Sequence, residues 1–337
     1  MQTQRLLTIL FLATLCVCAR AAPVDNAAKP LPQWRVFYEC GTDICAMNAD
    51  GSRKRRVFRD AAAPALLANR RKIAFVRRGN VFVAGVDGAN VRQATRWASP
   101  SGTDGQGGAI HGVSWHPSGT SLAVSRVETL TGRLNNKPFA VETATLYTVS
   151  LTSVKPPEVL YDAREQGAAF GFTHYEYPAW SPDGVHLALS VNGDLWMATN
   201  SGPKEDEHNK PIWGTAMWDL TRVVAVAGYD NPNWHGSRMN TGVVAISWSP
   251  DGKRLVYGKT RLGGTGLAEL HRVTFAPGDK NEAASDVAIS GYDSGYSPCF
   301  SPDGAWILFW KNKLYAKPVG NGAQVSYDLP ECWNAVW

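Results

Sequence analysis

Several common chemical signatures are missing from this sequence. It has no Cys-x-x-Cys pair, which disfavours metal ribbons and thioredoxin-like redox sites. It also lacks a Gly-x-Ser-x-Gly elbow, a His-Glu-x-x-His pair and a phosphate-binding glycine loop, so the commonest hydrolase, zinc-protease and nucleotide signatures are gone. No run beyond the first twenty residues is long and apolar enough to cross a bilayer as a helix. What remains is ordinary globular material: 337 residues, 44% hydrophobic and 19% charged, enough for a sizeable core.

The one apolar run has a specific shape. Arg5 precedes Leu6 to Ala19, and small residues follow at Ala19-Arg20-Ala21-Ala22, the pattern of a secretory leader. We therefore expect residues 1–21 to be a signal peptide, residues 22–33 a polar linker, and the mature chain to be periplasmic or secreted, without a membrane span. Cys16 and Cys18 fall inside the leader, leaving Cys40, Cys45, Cys299 and Cys332. An even number in an exported chain points to disulfides. A two-residue turn at Thr42-Asp43 would place Cys40 opposite Cys45, and Cys299 would then pair with Cys332.

Without residues 1–21 the chain holds 32 basic and 29 acidic residues, a net charge of +3. Residues 34–97 alone carry thirteen Lys or Arg against five Asp or Glu. Export argues against nucleic acid as the partner of Arg53-Lys54-Arg55-Arg56 and Arg70-Arg71-Lys72; the reading is a solvated face.

Five segments share one register: Pro64-Ala65-Leu66, Val113-Ser114-Trp115, Pro178-Ala179-Trp180, Ile246-Ser247-Trp248 and Pro298-Cys299-Phe300. Each is followed by a second apolar strand, and in four the gap is a turn: His116-Pro117-Ser118-Gly119, then Ser-Pro-Asp-Gly at 181–184, 249–252 and 301–304. Proline presets φ, Asp or Ser binds the local backbone, and glycine takes positive φ, so each gap joins two strands tightly. A third strand follows with cores such as Ile44-Cys45-Ala46 and Leu195-Trp196-Met197, and turn residues then lead to a fourth. Four antiparallel strands, repeated radially, make a β-propeller blade. The first unit lacks its opening strand, and Val336-Trp337 matches Ala179-Trp180 in register. We expect an all-β, six-bladed propeller over residues 34–337, closed by the C-terminal strand completing the first blade.

The Trp-Ser-Pro-Asp-Gly-x-x-Leu-Ala motifs, the Asn48-Ala49-Asp50-Gly51-Ser52 turn and the closing strand resemble the TolB-like propeller family. That resemblance implies a periplasmic, protein-binding module of the kind found in the Tol–Pal envelope system. TolB carries an α/β domain ahead of its propeller, and here only residues 22–33 stand in that place.

In such a fold the loops between blades, and those between second and third strands, gather on one face around the channel mouth. His111 and Glu176 each stand four residues before their blade's Trp, so they are expected at equal height on adjacent blades; Trp333 takes that height in the first. His111, His174, Glu176 and His235 include metal-ligating types, though no metal or other cofactor is assigned. Tyr175, Tyr177, Trp234 and Trp333 offer stacking faces, and Arg238 and Arg261 supply donors, for a peptide or sugar. The insertion from Arg126 to Thr145 is expected to overhang the same face. The reading is a monomeric binding or scaffolding module for a partner protein segment or an envelope glycan. The rival is a metal-dependent lyase or hydrolase acting on an anionic polysaccharide through His, Glu or Arg at the mouth.

Overall fold

A computed structural model describes residues 34–97, 109–134, 137–153, 155–161, 175–202, 217–225, 242–260, 268–276, 279–290, 296–320, 322–329 and 332–337. Among them there is no helix, and the strands form six four-stranded antiparallel sheets arranged as blades. Blade 1 is composite. Its innermost strand is Cys332–Val336, hydrogen-bonded to Arg35–Cys40, with Asp43–Asn48 and Arg55–Phe58 outside. Blades 2 to 6 run in sequence, with innermost strands Ala62–Leu66, Ile110–Trp115, Tyr175–Trp180, Gly242–Trp248 and Tyr296–Phe300. The six expected units and the C-terminal closure are both present.

The Ser-Pro-Asp-Gly turns fold as their chemistry dictates. In blade 4, Ser181 Oγ accepts the His186 amide at 3.0 Å and donates to Asp183, whose Oδ1 accepts the Val185 amide at 3.1 Å. Gly184 takes φ 74°, and Gly119, Gly252 and Gly304 take 71°, 65° and 67°, values that glycine adopts without a Cβ penalty. Packing between blades supplies the core. Leu122, Leu187, Leu255 and Ile73 on second strands are essentially inaccessible, and clusters such as Val36, Met47, Leu308, Tyr327 and Trp337 join the last blade to the first.

A second repeat sets the channel wall. Every innermost strand carries a bulge, three residues before its Trp, Phe or Leu in five blades and one residue earlier, between Ile110 and Gly112, in blade 3. At that position Ala63, Tyr177, Ala245, Ser297 and Asn334 all hold left-handed backbone, with φ between 41° and 54°. In blade 3 the residue three before Trp115 is Gly112, just after the bulge, where a Cβ would approach Pro178 to 2.8 Å. Bulges re-aim side chains, and these six residues all line the channel.

Polar bonds stitch neighbouring innermost strands. The Trp115 and Trp248 indole N–H groups donate to the carbonyls of Ala65 and Ala179, each at 2.9 Å, and Trp337 donates to Cys299 at 3.3 Å. Between blades 3 and 4 and between blades 5 and 6 the later blade again donates, but through a backbone amide to a hydroxyl: Ser114 Oγ accepts the Trp180 amide at 2.9 Å, and Ser247 Oγ accepts the Phe300 amide at 3.2 Å. These serines are occupied by the architecture.

Two expectations need correction. The hairpin turn is Gly41-Thr42, not Thr42-Asp43: Cys40 faces Asp43, and Cys45 faces Tyr38. Cys40 and Cys45 are therefore diagonal neighbours, and they form a disulfide with Cα atoms 5.9 Å apart. Cys299 is a free thiol, so the expected bridge from Cys299 to Cys332 is not made. The reason is height. Cys299 lies beside Trp337, whereas Cys332 lies opposite Cys40, five residues back, or about 16 Å along a strand. The insertion from Arg126 to Thr145 is a hairpin. Ser121–Leu134 pairs with Lys137–Ser150 over fourteen residues, extending the blade as a long hairpin.

Candidate functional site

The innermost strands surround a channel of about 900 Å³. Its lower end is walled by the turn residues Pro117, Pro182, Pro250 and Pro302, with Arg70 among them. Its upper mouth carries two polar groupings on opposite arcs of the ring.

The first joins blades 3 and 4. His111, in the second position of its strand, lies 2.8 Å through Nδ1 from Glu176 Oε1 on the next blade. Equal register on neighbouring blades brings them together, as the spacing predicts. Their side chains are 39% and 19% exposed, so the pair is open to a ligand from above. Tyr177, beside them at the bulge, stacks on the His111 ring with centroids 6.4 Å apart. Burial, and then the negative charge of Glu176, push the Tyr177 phenol pKa upward, so it remains a neutral donor.

The second joins blades 6, 1 and 2. Ser297 Oγ donates to Asn334 Oδ1 at 2.6 Å, and Asn334 Nδ2 donates to Glu39 Oε1 at 2.8 Å. The same Glu39 oxygen accepts the Ala63 amide at 2.6 Å. One carboxylate thus ties the bulges of blades 1 and 2, while the bulge of blade 6 reaches it through Asn334. Sequence reasoning missed Glu39, Ser297 and Asn334, although a signal existed. In register, Glu39 corresponds to Val76, Ser125, Ser190, Gly258 and Trp310 on the other second strands, so it is the one charge at that position.

The other expected rim residues are placed only in part. For Tyr175 and Trp333 the structure describes the backbone, at the start of the blade 4 strand and opposite Glu39. His174, Trp234, His235, Arg238 and Arg261 lie outside the described residues. Among the described residues, no group of three or more His, Cys, Asp and Glu is arranged to hold a metal ion. The described mouth therefore presents two carboxylates, one imidazole, an amide, a hydroxyl and a phenol around an apolar shaft. It can grip a polar or cationic group.

The fold is that of a TolB-like propeller. The crystal structure of TolB from Acinetobacter baumannii superposes with a TM-score of 0.56 and 14% identity, over 90% of this chain and 66% of that one. The chain thus spans just under two thirds of the length of that structure. A putative TolB from Agrobacterium tumefaciens gives a TM-score of 0.48 at 15% identity, covering 87% and 86% of the two chains. The β-propeller domain of Cps50 (Swd1) from Myceliophteria thermophila gives 0.49 at 13%, covering 86% and 82%. No protein-family model and no curated protein matches the chain. At such identities the likeness establishes the fold, and function must be argued from the site.

Proposed function

We propose that this protein is an exported, monomeric binding module that takes a cationic segment of a partner protein into the channel mouth. The observation that carries the reading is the pair of cross-blade carboxylates, Glu176 with His111 and Glu39 with Asn334, held on opposite arcs by strand register. Their positions are fixed by rigid sheets, so little ordering cost falls on the protein when a ligand binds. An envelope glycan is the other ligand class compatible with a polar rim, but two carboxylates at the entrance favour a Lys- or Arg-bearing peptide. The same charges repel an anionic polysaccharide, which weakens the case for a lyase or hydrolase acting on one. The leader pattern of residues 1–21 supports export, and the Cys40–Cys45 disulfide fits an oxidising compartment. The similarity to TolB supports an envelope setting.

Selection of random peptides on the immobilised protein tests the proposal. Enriched peptides should carry Lys or Arg, and should bind the Glu39→Gln/Glu176→Gln variant at least about tenfold more weakly. Peptides without basic residues, or equal affinity for both proteins, would remove the channel mouth from the account.

A further inference from the structure

The lower face of blades 1 and 2 departs from the repeat in a way that folding does not require. In blades 4, 5 and 6 the first turn reads Ser-Pro-Asp-Gly, and its Asp is acidic at the lower face. Blade 2 has Leu67-Ala68-Asn69-Arg70 in the same register. Asn69 keeps the structural task, since its Oδ1 accepts the Arg71 amide at 3.0 Å as Asp183 Oδ1 accepts that of Val185. The negative charge is gone. Arg70 replaces the glycine and holds its left-handed backbone, φ 58°, a conformation a side chain disfavours. A turn that would fold more easily with glycine carries a cation instead, followed directly by Arg71 and Lys72.

More positive charge meets this turn from blade 1. Arg53, also left-handed at φ 55°, Lys54 and Arg55 lead into the outer strand from the same face, and all three are exposed. Arg70 donates to the Arg35 carbonyl at 2.8 Å and lies over the Trp34 ring at 5.3 Å. Burial brings its pKa down to about 10, which leaves it charged at neutral pH. Trp34 is 40% exposed, and its carbonyl accepts the Ala49 amide at 3.0 Å, bringing the turn of residues 48–52 alongside. The outer turns of blades 1 and 2, residues 48–52 and 85–89, add one acid each, Asp50 and Asp87, whose Oδ1 atoms accept the Ser52 and Ala89 amides, against six cations. The adjoining first turn of blade 3, His116-Pro117-Ser118-Gly119, adds no acid.

We propose that this face, formed by Arg53, Lys54, Arg55, Arg70, Arg71 and Lys72 around Trp34, docks on an anionic phospholipid surface. The commitment to lipid over a soluble polyanion rests on the exposed indole. A cationic patch with an exposed amphipathic ring among its charges matches a headgroup layer, where indoles settle at the interface and each Lys or Arg strengthens adsorption about fivefold. Docking would leave the channel mouth, on the opposite face, pointing away from the bilayer. This proposal does not depend on the peptide-binding reading of the mouth.

Co-sedimentation with vesicles decides it, using residues 22–337, which contain every strand of the ring. Vesicles with phosphatidylglycerol should bind the protein at low salt, pure phosphatidylcholine vesicles should not, and added NaCl should release it. Arg53→Gln/Lys54→Gln/Arg71→Gln/Lys72→Gln should weaken binding several-hundred-fold, by about fivefold per charge, without moving the melting temperature. Trp34→Ala should weaken adsorption to the anionic vesicles while leaving heparin retention unchanged. Equal binding of the quadruple variant, indifference to lipid charge, or capture by heparin with no adsorption to vesicles would each overturn the proposal.

Discussion

Trp248 offers a quantitative test of how the blades are joined. Its ring is 8% exposed, its indole donates to the Ala179 carbonyl at 2.9 Å, and it stacks on Phe275 with centroids 5.4 Å apart. Trp248→Ala removes a buried aromatic from a junction between rigid sheets and is expected to cost about 3–5 kcal/mol. Trp248→Phe keeps most of the apolar contact but strips the Ala179 carbonyl of its indole donor, costing about 2–3 kcal/mol. The chain itself shows the compensation. Blade 6 has Phe300 at this register, and its junction uses the Ser247 hydroxyl to accept the Phe300 amide. Adding Ala179→Ser to Trp248→Phe recreates that arrangement between blades 4 and 5, and should recover about 1 kcal/mol. Urea denaturation with linear extrapolation measures all three variants. A Trp248→Phe cost under about 0.5 kcal/mol, or no recovery from the added serine, would refute the claim that alternating indole and hydroxyl bonds lock the ring.

Two further outcomes are expected. Burial opposes charging of His271, but its bonds to Asp286 at 3.0 Å and Glu269 at 3.1 Å outweigh this and raise its pKa above the ordinary 6.5. The stabilisation from its charged form is therefore complete below pH 6.5 and fades as pH rises through the higher folded-state value. Thermal melts from pH 6 to 9 should show a falling midpoint that flattens in His271→Gln. The Cys40–Cys45 disulfide links residues five apart, a short loop, so Cys45→Ser or reduction should cost about 2 kcal/mol in a denaturant titration.

Much of the fold was legible because turn chemistry repeats. Proline, a short polar side chain and glycine at fixed offsets specified each first turn, and counting back from Trp115 and Trp180 put His111 beside Glu176. The bulges were not legible. Ala63, Tyr177, Ala245, Ser297 and Asn334 adopt left-handed backbone without being glycine, because packing between blades imposes it and local preference does not. Glu39 was hidden inside a strand where alternation alone reads as packing, although its charge was a departure from the other blades. The disulfide pairing failed for Cys299 because the sequence pattern identifies neighbouring strands more readily than height along them.

The mouth exists only if the ring closes, and amide hydrogen exchange tests that closure most directly. Cys332–Val336 is hydrogen-bonded to Arg35–Cys40, with Phe37 opposite Val336 and Cys40 opposite Cys332. The account predicts that peptides covering 35–40 and 332–337 are protected together and open with one free energy, close to that of global unfolding. Exchange of the 332–337 amides within seconds, while 35–40 stays protected, would contradict it.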